Sequence, residues 1–118
     1  MWIMTTTGFV SLVHKDCHAD ELLVRARRPR DIQRLLTGAR VTKNTSADYL
    51  YRTTAKRVDL ALALANVVDD INYGNFKSAV ADERLHDAYF KVWAAMARLQ
   101  RPAPYSGSKW FLPELLDH

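Results

Sequence analysis

Residues 21–27 read Glu-Leu-Leu-Val-Arg-Ala-Arg, and the alternation within them decides the fold. Leu22, Val24 and Ala26 fall on one side of an extended chain and Leu23, Arg25 and Arg27 on the other, which is the two-residue period of a half-buried strand. Such a strand needs an antiparallel neighbour, with one face on a core and one toward water. On its N-terminal side, residues 2–15 are rich in Trp, Ile, Thr, Phe and Val and are broken at Gly8, where a turn or bulge fits. They supply one bent strand or two short ones, pairing with 21–27 across the polar stretch Lys15 to Asp20.

On its C-terminal side, Pro29 suits a first helical turn, Asp31 complements the helix dipole, and Ile32, Leu35 and Leu36 make a short apolar face closed by Gly38. This predicts a helix over 29–37. Arg40 to Thr42 reads as a brief strand and Tyr49 to Thr54 as a stronger one, with Tyr49, Tyr51 and Thr53 on one face, giving a second hairpin. Thr54 is placed to cap a helix whose Leu60, Leu64, Val67, Val68 and Ile71 recur at the spacing of one buried face and whose end is signalled by Asn72 and Gly74. Asn75 is placed to cap a new turn at Phe76. From Asp82 onward, Leu85, Tyr89, Val92, Met96 and Leu99 mark a long amphipathic helix. The element order lacks the strict alternation of a parallel sheet, so the expected fold is α+β, a small antiparallel sheet of about four strands in two hairpins with helices packed on one face.

The chain has 118 residues, enough for one hydrophobic core, which the reading places at 1–100 as a single α+β domain. Pro102, Pro104 and Gly107 open a C-terminal tail, 101–118. Its Trp110, Phe111, Leu112, Leu115 and Leu116 are too apolar to dangle in water, so they are expected to form an interface with their own domain, a second copy or a protein partner. The most apolar run, Leu60 to Val68, stops at Asp69 and Asp70, well short of a bilayer span. Thr5, Thr6, Thr7 and Gly8 interrupt any secretory leader, and Cys17 is the only cysteine. A cytoplasmic protein without membrane contact is expected.

Charge is unevenly distributed. Between Arg25 and Arg57 stand ten basic residues against Asp31 and Asp48, a net +8, so the rest of a chain of net +4 carries −4. If Leu22, Val24 and Ala26 face the helices, Arg25 and Arg27 project from the other sheet face, where Arg52 joins them; Arg34, Arg40, Lys56 and Arg57 extend the positive field. Such a face suits phosphate backbones through counterion release, or an acidic protein, or merely solvates the sheet.

Catalytic patterns are missing. His14, Cys17 and His18 lack the further ligands of a zinc site. Glu83 and His86 form one Glu-x-x-His unit where a di-iron bundle needs two, and they read as a solvated helix face on which Asp82 and His86 make an i,i+4 pair. Asp69 and Asp70, adjacent on a helix, point apart. No phosphate-binding loop, dinucleotide glycine pattern, Gly-x-Ser-x-Gly elbow or kinase motif occurs. The reading assigns no catalytic residue, no metal and no cofactor.

The opening Met1-Trp2-Ile3, the turn Gly8-Phe9-Val10-Ser11, the strand Leu23-Val24-Arg25-Ala26-Arg27, Tyr49-x-Tyr51-Arg52 and Asn72-Tyr73-Gly74-Asn75-Phe76-Lys77 together resemble a family of small uncharacterised proteins of bacteria and their phages. The resemblance covers residues 1 to 99 and implies no activity or functional residues. The expected function is therefore non-enzymatic, the binding of a host or phage protein through charge and exposed apolar surface. Nucleic-acid binding by the basic face is the alternative, and a homodimer is compatible with either.

Overall fold

The computed structural model describes residues 1–102 and 104, so the apolar segment Trp110, Phe111, Leu112, Leu115 and Leu116 lies outside the described residues. The described residues divide into two units, Met1–Phe76 and a second that begins at Lys77.

The first unit is built on an antiparallel sheet. Its strands are β1 (Trp2–Thr5), β2 (Gly8–Val13), β3 (Glu21–Ala26), β4 (Thr42–Lys43) and β5 (Tyr51–Lys56), in the spatial order β1-β2-β3-β5-β4. There are five strands rather than the expected four because the segment before Gly8 folds back as a separate strand. Thr5 closes that hairpin: its Oγ1 accepts from the Gly8 amide at 3.1 Å and from the Thr7 amide at 3.3 Å. β3 lies at the centre, between β2 and β5, and pairs with β5 along its whole length, from Glu21↔Lys56 to Ala26↔Tyr51. That pairing corrects the sequence reading at one junction. The ladder carries the strand past Thr54 to Lys56, and Lys56, extended at φ −65° and ψ 142°, opens the next helix without a side-chain cap.

Helices α1 (Pro29–Leu35) and α2 (Arg57–Asp69) both reach one face of this sheet. Val10, Leu12, Val24 and Ala26 from the strands join Ile32 of α1 and Leu60 of α2 in a single buried cluster, with Tyr51, Ala55 and Leu64 packed on it. α1 starts with Pro29 in its first turn, where a missing N–H costs nothing, and the chain leaves it through Gly38 at φ +81°, a left-handed conformation that glycine adopts without penalty. Asp31 does more than complement the dipole. It is buried, accepts from the Phe9 amide at 3.1 Å, and meets the Arg28 guanidinium at 3.0 Å to Nε and 2.9 Å to Nη2. The carboxylate thereby pins α1 to the start of β2, where Gly8 comes so close that an added Cβ would stand 2.9 Å from the Asp31 Cα.

α2 departs from the expected pattern. Leu60 is buried and Leu64 reaches the cluster, but Val68 and Ile71, read as part of the buried stripe, are exposed. The helix follows β5 without a loop, and its residues in the core cluster are Leu60 and Leu64 of its first two turns.

The second unit contains a 3₁₀ turn at Lys77–Ala79 and helix α3 (Glu83–Ala97). Asp82 is its N-cap, accepting from the Leu85 amide at 3.1 Å, a cap rather than the expected partner of His86, whose imidazole lies 3.9 Å from Asp87 instead. Leu85, Tyr89, Ala94 and Ala97 are buried, whereas Val92, Met96 and Leu99 are exposed. The two alanines turn the buried stripe away from the side that Val92, Met96 and Leu99 were expected to mark. Lys77 sets its ammonium 4.1 Å from the Trp93 ring centroid, and Trp93 in turn stacks on Phe90.

Candidate functional site

The face of the sheet turned away from α1 and α2 carries a transverse row contributed by all five strands. Trp2 pairs with Ser11, Ser11 with Arg25, Arg25 with Arg52, and Arg52 with Thr42, so the five residues stand side by side on one surface. The alternation read in residues 21–27 places Arg25 here, and the β3–β5 register sets Arg52 directly against it.

Like charges facing each other across two strands repel, so the pair requires compensation. Arg25 obtains part of it from neighbours. Its Nη2 donates to Ser11 Oγ at 3.0 Å, and its guanidinium lies 4.6 Å from the centroid of the Tyr49 ring. Arg27, just beyond β3, covers the same ring at 4.4 Å and is tied to Asp48 by a 3.1 Å hydrogen bond to the backbone carbonyl and a 3.6 Å ion pair. Two guanidiniums thus hold Tyr49, leaving it 4% exposed. Tyr49 was expected within a strand beside Tyr51. It instead precedes β5 and lies against the arginine face, while Tyr51 packs on the core.

Arg52 receives no such help. Its Nε, like that of Arg25, is buried without a hydrogen-bond partner, and among the described residues no carboxylate lies within ion-pair distance of either guanidinium. Trp2, at the end of the row, is 74% exposed. The row therefore sets two half-buried cations between the exposed Thr42 and an exposed indole, with the Ser11 hydroxyl buried beneath them, an arrangement fitted to a carboxylate or phosphate beside an apolar group.

The other basic residues disperse. Arg34, Arg40, Arg52 and Lys56 line an open groove of about 1120 Å³ that runs past β5, between the end of α1 and the outer side of α2. Asp16, Glu21, Asp59 and Asp70 line it too, so its charges balance. Arg57 is drawn to the loop after β2, its Nε donating to the Ala19 carbonyl at 3.3 Å. The structure gathers Arg25 and Arg27 on Tyr49 and sets Arg52 opposite Arg25, while Arg52 also reaches the groove that holds Arg34, Arg40 and Lys56. Sequence reading missed Ser11, Thr42 and Trp2 as members of the row, because cross-strand register, not local composition, brings them together.

His14 and His18 are exposed on the loop before β3. Cys17 there donates its thiol to the Glu21 carbonyl at 3.5 Å, and the His18 amide donates to Glu21 Oε1 at 3.1 Å, so the segment folds on its own hydrogen bonds. Among the described residues no three His, Cys, Asp or Glu side chains converge as metal ligands, and no helix is long and apolar enough to cross a membrane. No family model, no curated protein and no solved structure matches the chain.

Proposed function

We propose that this is a non-enzymatic binding protein of a bacterium or phage, acting in the cytoplasm, and that it holds a protein partner by an acidic segment laid along the Arg25–Arg52 row. The observation that carries the reading is the Arg25–Arg52 pair, two half-buried guanidiniums opposed across β3 and β5 with no carboxylate within ion-pair distance among the described residues. A pair of carboxylates from an extended partner segment would meet both, through charge-assisted bonds of the strong kind. Trp2 would flank an apolar residue of the same segment.

Nucleic acid fits the row less well. Single strands are held by aromatic platforms on which bases stack, and Tyr49, the aromatic nearest the arginines, is buried with its ring already covered by them. Glu21, opposite Lys56 on the same sheet face, and Asp48 beside Arg27 also interrupt the positive field a polyphosphate would follow.

The test is direct. A labelled glutamate-rich peptide carrying one leucine and a labelled single-stranded oligonucleotide are titrated against the full chain at low and moderate salt, and against Arg52→Ala. Peptide binding that weakens about tenfold in Arg52→Ala is the expected result. Oligonucleotide binding alone, with affinity falling steeply as salt rises, would transfer the row to nucleic acid; no binding of either would end the proposal. A pull-down from the native host, with and without nuclease, then identifies the partner.

A further inference from the structure

The exposed side of α2 carries a stripe that the basic row does not explain. Val58, Leu62 and Val68 are 71%, 64% and 67% exposed, and Ala61 and Ala65 stand exposed between them. Positions 58, 61, 62, 65, 68 and 69 follow the i, i+3, i+4, i+7 spacing of one helix face, so the five apolar side chains and Asp69 form a continuous strip. α2 is thus apolar on two sides, one against the sheet through Leu60 and Leu64, the other turned outward.

Its charges run against its own dipole. Arg57 stands at the positive N-terminal end, Asp69 and Asp70 close the negative C-terminal end, and the last turn holds no basic residue. Only Asp59, in the first turn, is placed favourably. An acidic end and a basic end on one helix are complementary to the same helix running the other way.

We infer that α2 pairs with the α2 of a second copy of this chain, antiparallel, about a two-fold axis beside Ala63. That axis sets Val58 against Val68 of the other copy, Ala61 against Ala65, Leu62 close to its own counterpart, and Arg57 against Asp69. The alanines let the two backbones approach, and the isologous arrangement closes at two copies. Each end of each helix exchanges an adverse charge for a favourable neighbour, which is the charge complementarity that selects a second copy over an unrelated helix. α2 packs through Leu60 on the sheet face opposite Arg25, so a dimer would present two such rows.

Sedimentation velocity on the full chain from about 1 µM to about 500 µM tests it, since an interface this small should give a dimer that dissociates on dilution. The expected result is a concentration-dependent dimer that Leu62→Glu converts to monomer throughout, without changing the melting temperature at the dilute end. Arg57→Asp alone and Asp69→Arg alone should each weaken the dimer about tenfold, and the two together should recover to within about threefold of the unaltered chain, because the swap restores the pair in this register only. A chain that stays monomeric, a dimer indifferent to Leu62→Glu, or a double variant no better than the singles would each overturn the proposal. So would a Leu62→Glu variant that melts lower at the dilute end, because the stripe would then be covered within a single chain.

Discussion

α1 and α2 lie on the same face of the same sheet and are anchored by opposite means. α1 has seven residues, two of them buried: Ile32, in full contact with the core, and Asp31, held by the Phe9 amide and Arg28. α2 has thirteen, nine of them Ala, Leu or Val, yet Leu60 alone is buried. Apolar content alone therefore does not decide how firmly a helix is held. α1 is locked by one side chain with no room to move and by a carboxylate whose bonds have direction, whereas α2 joins the core through Leu60 and Leu64 and leaves Val58, Leu62 and Val68 exposed. A helix anchored like α1 serves the fold, and one attached like α2 has surface left for association.

The largest effect that would break this contrast belongs to Ile32. Ile32→Ala removes a fully buried side chain from the meeting point of α1, β2, β3 and α2, and should cost about 3–4 kcal/mol in urea unfolding. A loss under about 1 kcal/mol would mean that the site collapses around the change and that α1 is not locked as described. Next comes Gly8→Ala. The new methyl carbon would stand 2.9 Å from both Cα and Cβ of Asp31, and a backbone atom cannot swing away as a side-chain tip can. We expect a loss of about 2 kcal/mol, with weaker hydrogen-exchange protection at the Phe9 amide as α1 is pushed off its carboxylate anchor. Unchanged protection at Phe9 would show that the close approach is not what seats the helix.

The same contrast shows what the sequence makes legible. The period of residues 21–27 identified the central strand and the side on which Arg25 projects, because alternation is a local property and β3 is extended throughout. Pro29 and Gly38 bracketed α1 for reasons equally local. Asp31 was visible only as a first-turn acid, since its partners Phe9 and Arg28 are assembled by the return of the chain across the sheet. Tyr49 was misplaced because a short apolar run next to a real strand reads as part of it, and only the fold reveals that two arginines hold it outside. α2 gave the weakest signal of direction: with Ala, Leu and Val on almost every side, Val68 and Ile71 fit a buried stripe as well as Leu64 does. The arginine row was half legible, since periodicity placed Arg25 and Arg52 on a common face while register alone added Ser11, Thr42 and Trp2.

The smallest expected effect sharpens the comparison most. Val68→Ala removes two methyl groups, chemically a change of the same kind as Ile32→Ala, but from a side chain 67% exposed near the end of α2. Little buried area is lost in a single chain, and alanine exceeds valine in helix propensity by a few tenths of a kcal/mol, so stability at about 1 µM should stay within about 0.5 kcal/mol or rise slightly. At high concentration the same variant should weaken self-association, since Val68 faces Val58 of the second copy in the proposed pair. A loss above about 1 kcal/mol in dilute solution would show Val68 to be packed within one chain. α2 would then be anchored along its length as α1 is, and the distinction between a helix that holds the fold and one left free to associate would fail.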